Sequence, residues 1–349
     1  MRKTRLASAN NLINRFLAPS QSSSHAHLNN CDPSDDARPI WVHGVARSGT
    51  TSMLSIMANS MGRNGVFEPM NQDKTRELNL IDEFIQVQES MRSVPSEDRF
   101  DDYFIGQGVL SNFLSFGSEL DELTEWKGFC RYLDFLYETF GRNSVFKEIR
   151  LFANLSGLHR YHMIRSIDWL FIGIICPPTR PMYAYYRRGW LSHRSLLANP
   201  SQIDIAHAYR VATFDRLGQF PELTSLPAES LAEKFLVNCL LDQAELCRFV
   251  SEDPDNRILS SLSEAPEALD WACRRTGESH SWNAWKGGRA PKSTHLVDPH
   301  FYRDVLMGIN ATLREAMEDV WGPVQVDSMV SRRRFRRYVT SLRHRILSD

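Results

Sequence analysis

Two stretches of this chain are apolar without alternation: PIWVH at 39–43, closed by Gly44, and WLFIGIIC at 169–176, closed by Pro177 and Pro178. An alternating strand can leave one face in water, whereas an unbroken apolar strand has to be covered on both faces. Proline stops the second run because it brings no N–H to a neighbouring strand. Shorter runs at 144–149 (SVFKEI) and 257–262 read as further strands. Apolar residues recur at helical spacing over 52–61, 158–168, 228–250 and 264–275, and helices are also expected over 182–197 and 299–320. Strands alternating with helices predict an α/β fold in three layers, with a mostly parallel central sheet.

A chain of 349 residues with 42% hydrophobic and 24% charged residues can bury a large core, and one α/β domain is expected over 39–325. A polar leader, 1–38, precedes it. Within it, 73–140 reads as a helical insertion with an acidic middle (Glu97, Asp98, Asp101, Asp102, Glu119, Asp121, Glu122, Glu125). The tail, 326–349, is basic, with seven arginines over 332–345. Phe335, Tyr338, Leu342 and Ile346 fall near helical spacing there, which suits peripheral contact with acidic lipid or a polyanionic glycan. The net charge of −1 gives nucleic acid no general attraction, and no nucleic-acid partner is expected. The six cysteines form no CxxC pair, and the longest apolar run is far shorter than the roughly 20 residues of a membrane span. Reduced thiols and a cytoplasmic location are the expectation.

The most informative segment is WVHGVARSGTTSML, 41–54. A loop of small residues between a strand and a helix can turn successive backbone N–H groups onto one anion. The helix start adds free donors and the positive end of its dipole. Gly44 and Gly49 remove side chains where the chain bends or approaches a phosphate, Ser48, Thr50, Thr51 and Ser52 add hydroxyls, and Arg47 adds a fixed cation. Against G-x-x-x-x-G-K-[ST], Gly44, Gly49 and Thr51 match while Thr50 holds the lysine position. The loop is P-loop-like, but its cation lies earlier, at Arg47.

Strand–GxxRSGTT–helix resembles the 5′-phosphosulfate loop of the sulfotransferases that use PAPS (3′-phosphoadenosine 5′-phosphosulfate). Other segments fit in order over 39–323. Phe67-Glu68-Pro69 is similar to the FEP segment of carbohydrate sulfotransferases, FKEIRL at 146–151 to their K-x-x-R strand end, and 285–294 (WKGGRAPKST) falls where a Gly/Lys-rich loop closes over the nucleotide. The R-D-P segment is poorly kept in PPTRPMYAYYRR. Aligned on the strand, Pro177 stands where the arginine belongs; aligned on Arg-Pro, Arg180 and Pro181 are the counterparts.

The resemblance implies transfer of a sulfuryl group from PAPS to an acceptor hydroxyl, most often on a carbohydrate, leaving PAP and needing no metal. Glu68 would accept the hydroxyl proton. Arg47 and the amides of Ser48, Gly49, Thr50 and Thr51 would hold the 5′-phosphate, with Gly44 and Ser52 completing the loop. Lys147 or Arg150 would neutralise the sulfuryl oxygens. Arg180, Ser192 and the loop of Lys286, Gly287, Gly288 and Arg289 would hold the 3′-phosphate. His43, at a strand end beside the loop, is a competing base. Tyr183, Tyr185, Tyr186, Arg187, Arg188 and Trp190, with Trp282 and Trp285, could pack or stack on a ring. Two other functions remain open: a P-loop kinase or nucleotide hydrolase using Mg·ATP, and a nucleotide-binding homologue without activity.

Overall fold

The structure, a computed structural model, describes residues 37–69, 124–149, 151–189, 191, 200–281, 300–301 and 305–321. The polar leader up to residue 36, most of the acidic insertion and the basic tail lie outside these residues. Five strands, β1 (Ile40–Gly44), β2 (Asn64–Phe67), β3 (Ser144–Glu148), β4 (Leu170–Ile174) and β5 (Arg257–Ser260), form one sheet in the order β2-β3-β1-β4-β5. Every pairing is parallel. The helices are α1 (Thr50–Met61), α2 (Thr124–Phe140), α3 (Leu155–Ile164), α4 (Thr179–Tyr186), α5 (Pro200–Arg216), the single turn α6 (Pro221–Thr224), α7 (Leu231–Glu252), α8 (Ala265–Thr276) and α9 (Ala311–Trp321).

The unbroken apolar strands are covered on both faces, as their composition requires. Trp41, Phe146 and Phe171 point into a core shared with α2, α3 and α7. Ile40, Val42, Val145, Leu170, Ile172 and Ile174 point the other way, onto α1 and α8. The result is a three-layer α/β fold with a parallel sheet.

Several boundaries differ from the sequence expectation. β2 has no apolar run to announce it, since Asn64 and Gly65 are exposed and only Val66 is fully buried. The helix expected over 158–168 begins and ends earlier, and Ser166, at φ 51°, turns the chain out of it, its N–H donating to Met163 O. The helix expected over 182–197 begins at Thr179 and ends at Tyr186. The one expected over 299–320 is interrupted: Ile309 is extended, and Asn310 Oδ1 accepts from Thr312 N at 2.8 Å as α9 begins. α5 shows little apolar periodicity because its buried Ile203, Ala206 and Phe214 are interleaved with polar and charged groups bonded to α7. Arg210 pairs with Asp242, Asp204 with Lys234 and His207 with Asn238, all three partners on α7.

Behind β1 the large core contains one polar chain. Trp41 Nε1 donates to Tyr137 Oη at 2.9 Å, and Tyr137 Oη lies 2.6 Å from His162 Nε2. His162 Nδ1 lies 2.7 Å from Leu158 O, which can only accept. The directions are therefore fixed: Tyr137 donates to Nε2, and His162 is neutral with its proton on Nδ1. Burial holds the His162 imidazole down at about 3. Its unfolded value is near 6.5, so between those values the unfolded chain binds a proton that the native chain does not. Stability from this group is present above pH 6.5 and is lost as pH falls toward 3. The stability advantage of wild type over His162→Leu, measured by urea unfolding, is expected to shrink by about 2 kcal/mol between pH 7.5 and 5.

Candidate active site

All five strands point the same way, so their carboxyl ends share one edge of the sheet. β1 leaves that edge through α1 toward β2 on one face, while its neighbour β3 leaves through α3 toward β4 on the other. In open α/β sheets, ligands sit in the crevice outside such a reversal.

β1 ends at Gly44, where a Cβ would lie 2.6 Å from Ile174 O and 2.9 Å from Ser48 Oγ. Only glycine lets β1 and β4 stay paired while the loop folds back over them. Ser48 N donates to Val45 O at 3.0 Å, closing a turn. Its third residue, Arg47, has φ 73°, a conformation that favours glycine. Gly49 follows at φ 113° and starts α1, which has no side-chain cap and no acidic residue in its first turn. The amides of Thr50, Thr51 and Ser52 lack helical acceptors, and the positive end of the dipole is not neutralised from within the first turn. Ser48 Oγ is buried and has no hydrogen-bond partner among the described residues. A closed loop with an unused buried hydroxyl and open helix amides fits an anion such as a phosphate.

Two further strand ends meet beside this loop. Glu68 follows β2, and Lys147 is the penultimate residue of β3, in register with Phe67 on one side and Val42 on the other. Lys147 Nζ bonds Glu68 Oε1, and Lys147 O accepts from Glu68 N at 2.7 Å. The ammonium also lies 4.4 Å from the centre of the Phe67 ring. Both side chains are buried, at 2% and 11% exposure. Glu68 has φ 46°. Among the described residues four non-glycine residues have positive φ, and two of them are Arg47 and Glu68. Such conformations cost on the order of 1–3 kcal/mol each and collect at functional sites.

Other cations surround the loop. Arg180, in the first turn of α4, brings a guanidinium nitrogen 3.6 Å from where a Gly49 Cβ would stand. Of the two alignments of the degraded segment, the one on Arg180 therefore puts an arginine at the loop. Arg180 also acts electrostatically on the Cys176 thiol, which burial pushes up to about 12. Arg188, beyond the end of α4, is held below the usual guanidinium range by partial burial and then by repulsion from Arg47. The sequence marked Arg188 only as part of an aromatic and basic block. Tyr183 and Tyr186 pack against Phe301, and Tyr185 against Phe235.

Thus Gly44, Arg47, Ser48, Gly49, Thr50, Thr51, Ser52, Glu68, Lys147 and Arg180 gather at one edge. Arg150, Ser192, Lys286, Gly287, Gly288 and Arg289 lie outside the described residues, as do Trp190, Trp282 and Trp285. His43 is buried between Phe152 and Phe171, and its Nε2 accepts from Leu151 N at 3.0 Å. With that lone pair engaged, His43 is a poor base. Glu148, fully buried at the end of β3, had not been marked in the sequence. Its signal was available: two adjacent charges, Lys147 and Glu148, close an otherwise apolar strand, so one faces each side of the sheet.

No protein-family model matches the chain, and no curated protein sequence does. Among solved structures, a sulfotransferase domain from the curacin biosynthetic pathway aligns with 87% of this chain and 98% of its own, at 12% identity and a TM-score of 0.39. Fold and site together define a parallel α/β protein whose β1–α1 loop suits an anion and lies beside a buried lysine–glutamate pair. The five described cysteines form no disulfide with one another, and no helix among the described residues is long and apolar enough to cross a membrane.

Two tests follow from the local physics. Arg47→Gly relieves a left-handed arginine, so thermal unfolding should show unchanged or higher stability, by up to about 1 kcal/mol, with weaker binding of inorganic pyrophosphate. Lys147→Met leaves a buried carboxylate without its ammonium and should cost about 3 kcal/mol. The Lys147→Met/Glu68→Gln double variant should regain most of that loss, because no charge is left behind.

Proposed function

We propose that this protein is a sulfotransferase that uses PAPS and delivers the sulfuryl group to an acceptor hydroxyl, with a carbohydrate as the first acceptor to try. The observation that carries the proposal is the bonded pair of Glu68 and Lys147 at the carboxyl edge that also holds the anion loop. A proton acceptor and a cation from adjacent strand ends suit group transfer to a hydroxyl. The resemblance of GxxRSGTT, FEP and the K-x-x-R strand end supports the choice of sulfuryl over phosphoryl transfer. So does the position of the lysine, which comes from β3 while Thr50 stands at the Walker lysine position.

The residues present fit the donor. The α1 amides, Ser48 Oγ and Arg47 would hold the 5′-phosphate, and Arg180 with Arg188 would add charge for a second phosphate. When bound, such a donor supplies a sulfuryl group attached to a phosphate leaving group. Glu68 accepts the proton of the attacking hydroxyl at a carboxylate oxygen. That proton neutralises the carboxylate and loosens its hold on Lys147 Nζ. The ammonium is then available to the transferred oxygens as their charge develops. Arg47 and the helix dipole offset the charge left on the phosphate side. The rest of the rate comes from holding the hydroxyl in line.

A thermal-shift comparison of PAP, ADP and Mg·ATP tests the donor. PAP at a hundred times its Kd should stabilise the protein by about 2.7 kcal/mol, well beyond ADP and without metal. Stabilisation by Mg·ATP alone would instead favour a kinase or hydrolase. With an acceptor found, Glu68→Gln should lower kcat by roughly a hundredfold or more, and an undiminished kcat would remove Glu68 as the base.

A further inference from the structure

Lys147 and Glu68 depend on where β3 ends, and β3 ends on two side chains. Among the described residues beyond Glu148, none has a register partner on β1 or β2. The next described amides are instead taken up locally: Ile149 N donates to Glu148 Oε1 at 2.7 Å, and Leu151 N donates to His43 Nε2 at 3.0 Å. Leu151 O then accepts from Asn154 N at 2.9 Å, joining the turn to the helix start. His43 and Glu148 are register partners on β1 and β3. They share a face, because the pair two residues earlier, Trp41 and Phe146, stacks with ring centres 4.9 Å apart. Both are buried, and Phe152 and Phe171 flank the imidazole.

We propose that His43 is a positioning residue: through Leu151 N it clamps the turn that terminates β3, and so fixes Lys147 and, through Lys147 O and Nζ, Glu68. The clamp sits on the face of the sheet opposite Lys147, so His43 touches neither reacting group. It acts by preventing the last residues of β3 from fraying. Loss of this bond leaves the Leu151 amide buried without an acceptor, and the strand end gives way to find one. A displacement near 1 Å at a catalytic group is enough to cost up to about a hundredfold in rate. The clamp needs an unprotonated Nε2, which matches its role as acceptor rather than base. The catalytic half of this inference rests on the proposed sulfotransferase reading, whereas the clamp itself does not.

Two polar variants separate position from bulk. In His43→Gln the side-chain amide reaches the place of Nε2 and can present an oxygen to Leu151 N. In His43→Asn it reaches only the place of Nδ1. Hydrogen–deuterium exchange on the full chain should show the peptide covering 148–154 exchanging at least about tenfold faster in His43→Asn, with protection retained in His43→Gln. Equal protection in both variants overturns the clamp, whatever the activity. In turnover assays His43→Asn should lower kcat about tenfold to a hundredfold with little change in KM for PAPS, and His43→Gln should restore most of it. A loosened turn with unchanged kcat overturns the positioning role. A wild-type protein that neither binds PAP nor turns over PAPS overturns the sulfotransferase reading and the positioning role with it, while the exchange result still decides the clamp.

Discussion

Five parallel strands stop at one edge, and every backbone group that runs out of a sheet partner there has to be satisfied in some other way. How each strand end solves that problem is what makes the site. β1 solves it by turning through Gly44 into a loop and a helix whose first amides stay open. β2 solves it by donating Glu68 N to Lys147 O, which puts a carboxylate beside an ammonium. β3 solves it with Glu148 and His43. β4 donates Ile175 N to Ser260 O, and β5 passes into a capping box in which Ser261 and Glu264 satisfy each other. The open donors belong to β1, the strand in the middle of the sheet, so neighbours on both sides bring their side chains to it.

Much of this frame is legible in the sequence because it rests on covalent and steric rules. Two unbroken apolar runs demand a buried parallel sheet, and small residues between a strand and a helix demand a tight turn with exposed amides. Gly44 and Gly49 stand where no other residue fits or turns. What the sequence conceals is of a different kind. β2 carries no apolar pattern because its first two residues are exposed, and that of α5 is blurred because its buried apolar residues are interleaved with charged and polar groups bonded to α7. Periodicity reports burial of apolar surface, so an interface that mixes apolar contacts with ion pairs weakens it. Arg188 is concealed for another reason: its meaning comes from Arg47, more than a hundred residues earlier in the chain.

The left-handed residues show where local preference has been overruled. Arg47 and Glu68 occupy backbone conformations that glycine would take without cost, one just before α1 and one just after β2 in the chain. A turn of this kind at 45–48 would be easier to build with glycine at its third position. The arginine puts a cation beside a helix start that already carries a partial positive charge, with Arg180 and Arg188 close by. Repulsion from Arg47 is part of what holds the Arg188 guanidinium down, and an anion bound at the loop would relieve it.

In the proposed sulfuryl transfer, the same edge accounts for the choice of Glu68 as the base. Two buried histidines, His43 on β1 and His162 behind it, have each committed the Nε2 lone pair to structure: His162 to Tyr137 and His43 to the Leu151 amide. An imidazole whose acceptor nitrogen already holds a donor has to break a buried bond before it can take a proton from a substrate. Glu68 is engaged too, in its ion pair with Lys147, but its partner is a cation that gains freedom when the carboxylate is neutralised. A carboxylate coupled to an ammonium can thus accept a proton and release positive charge toward the transferred group in one event, which neither histidine is placed to do.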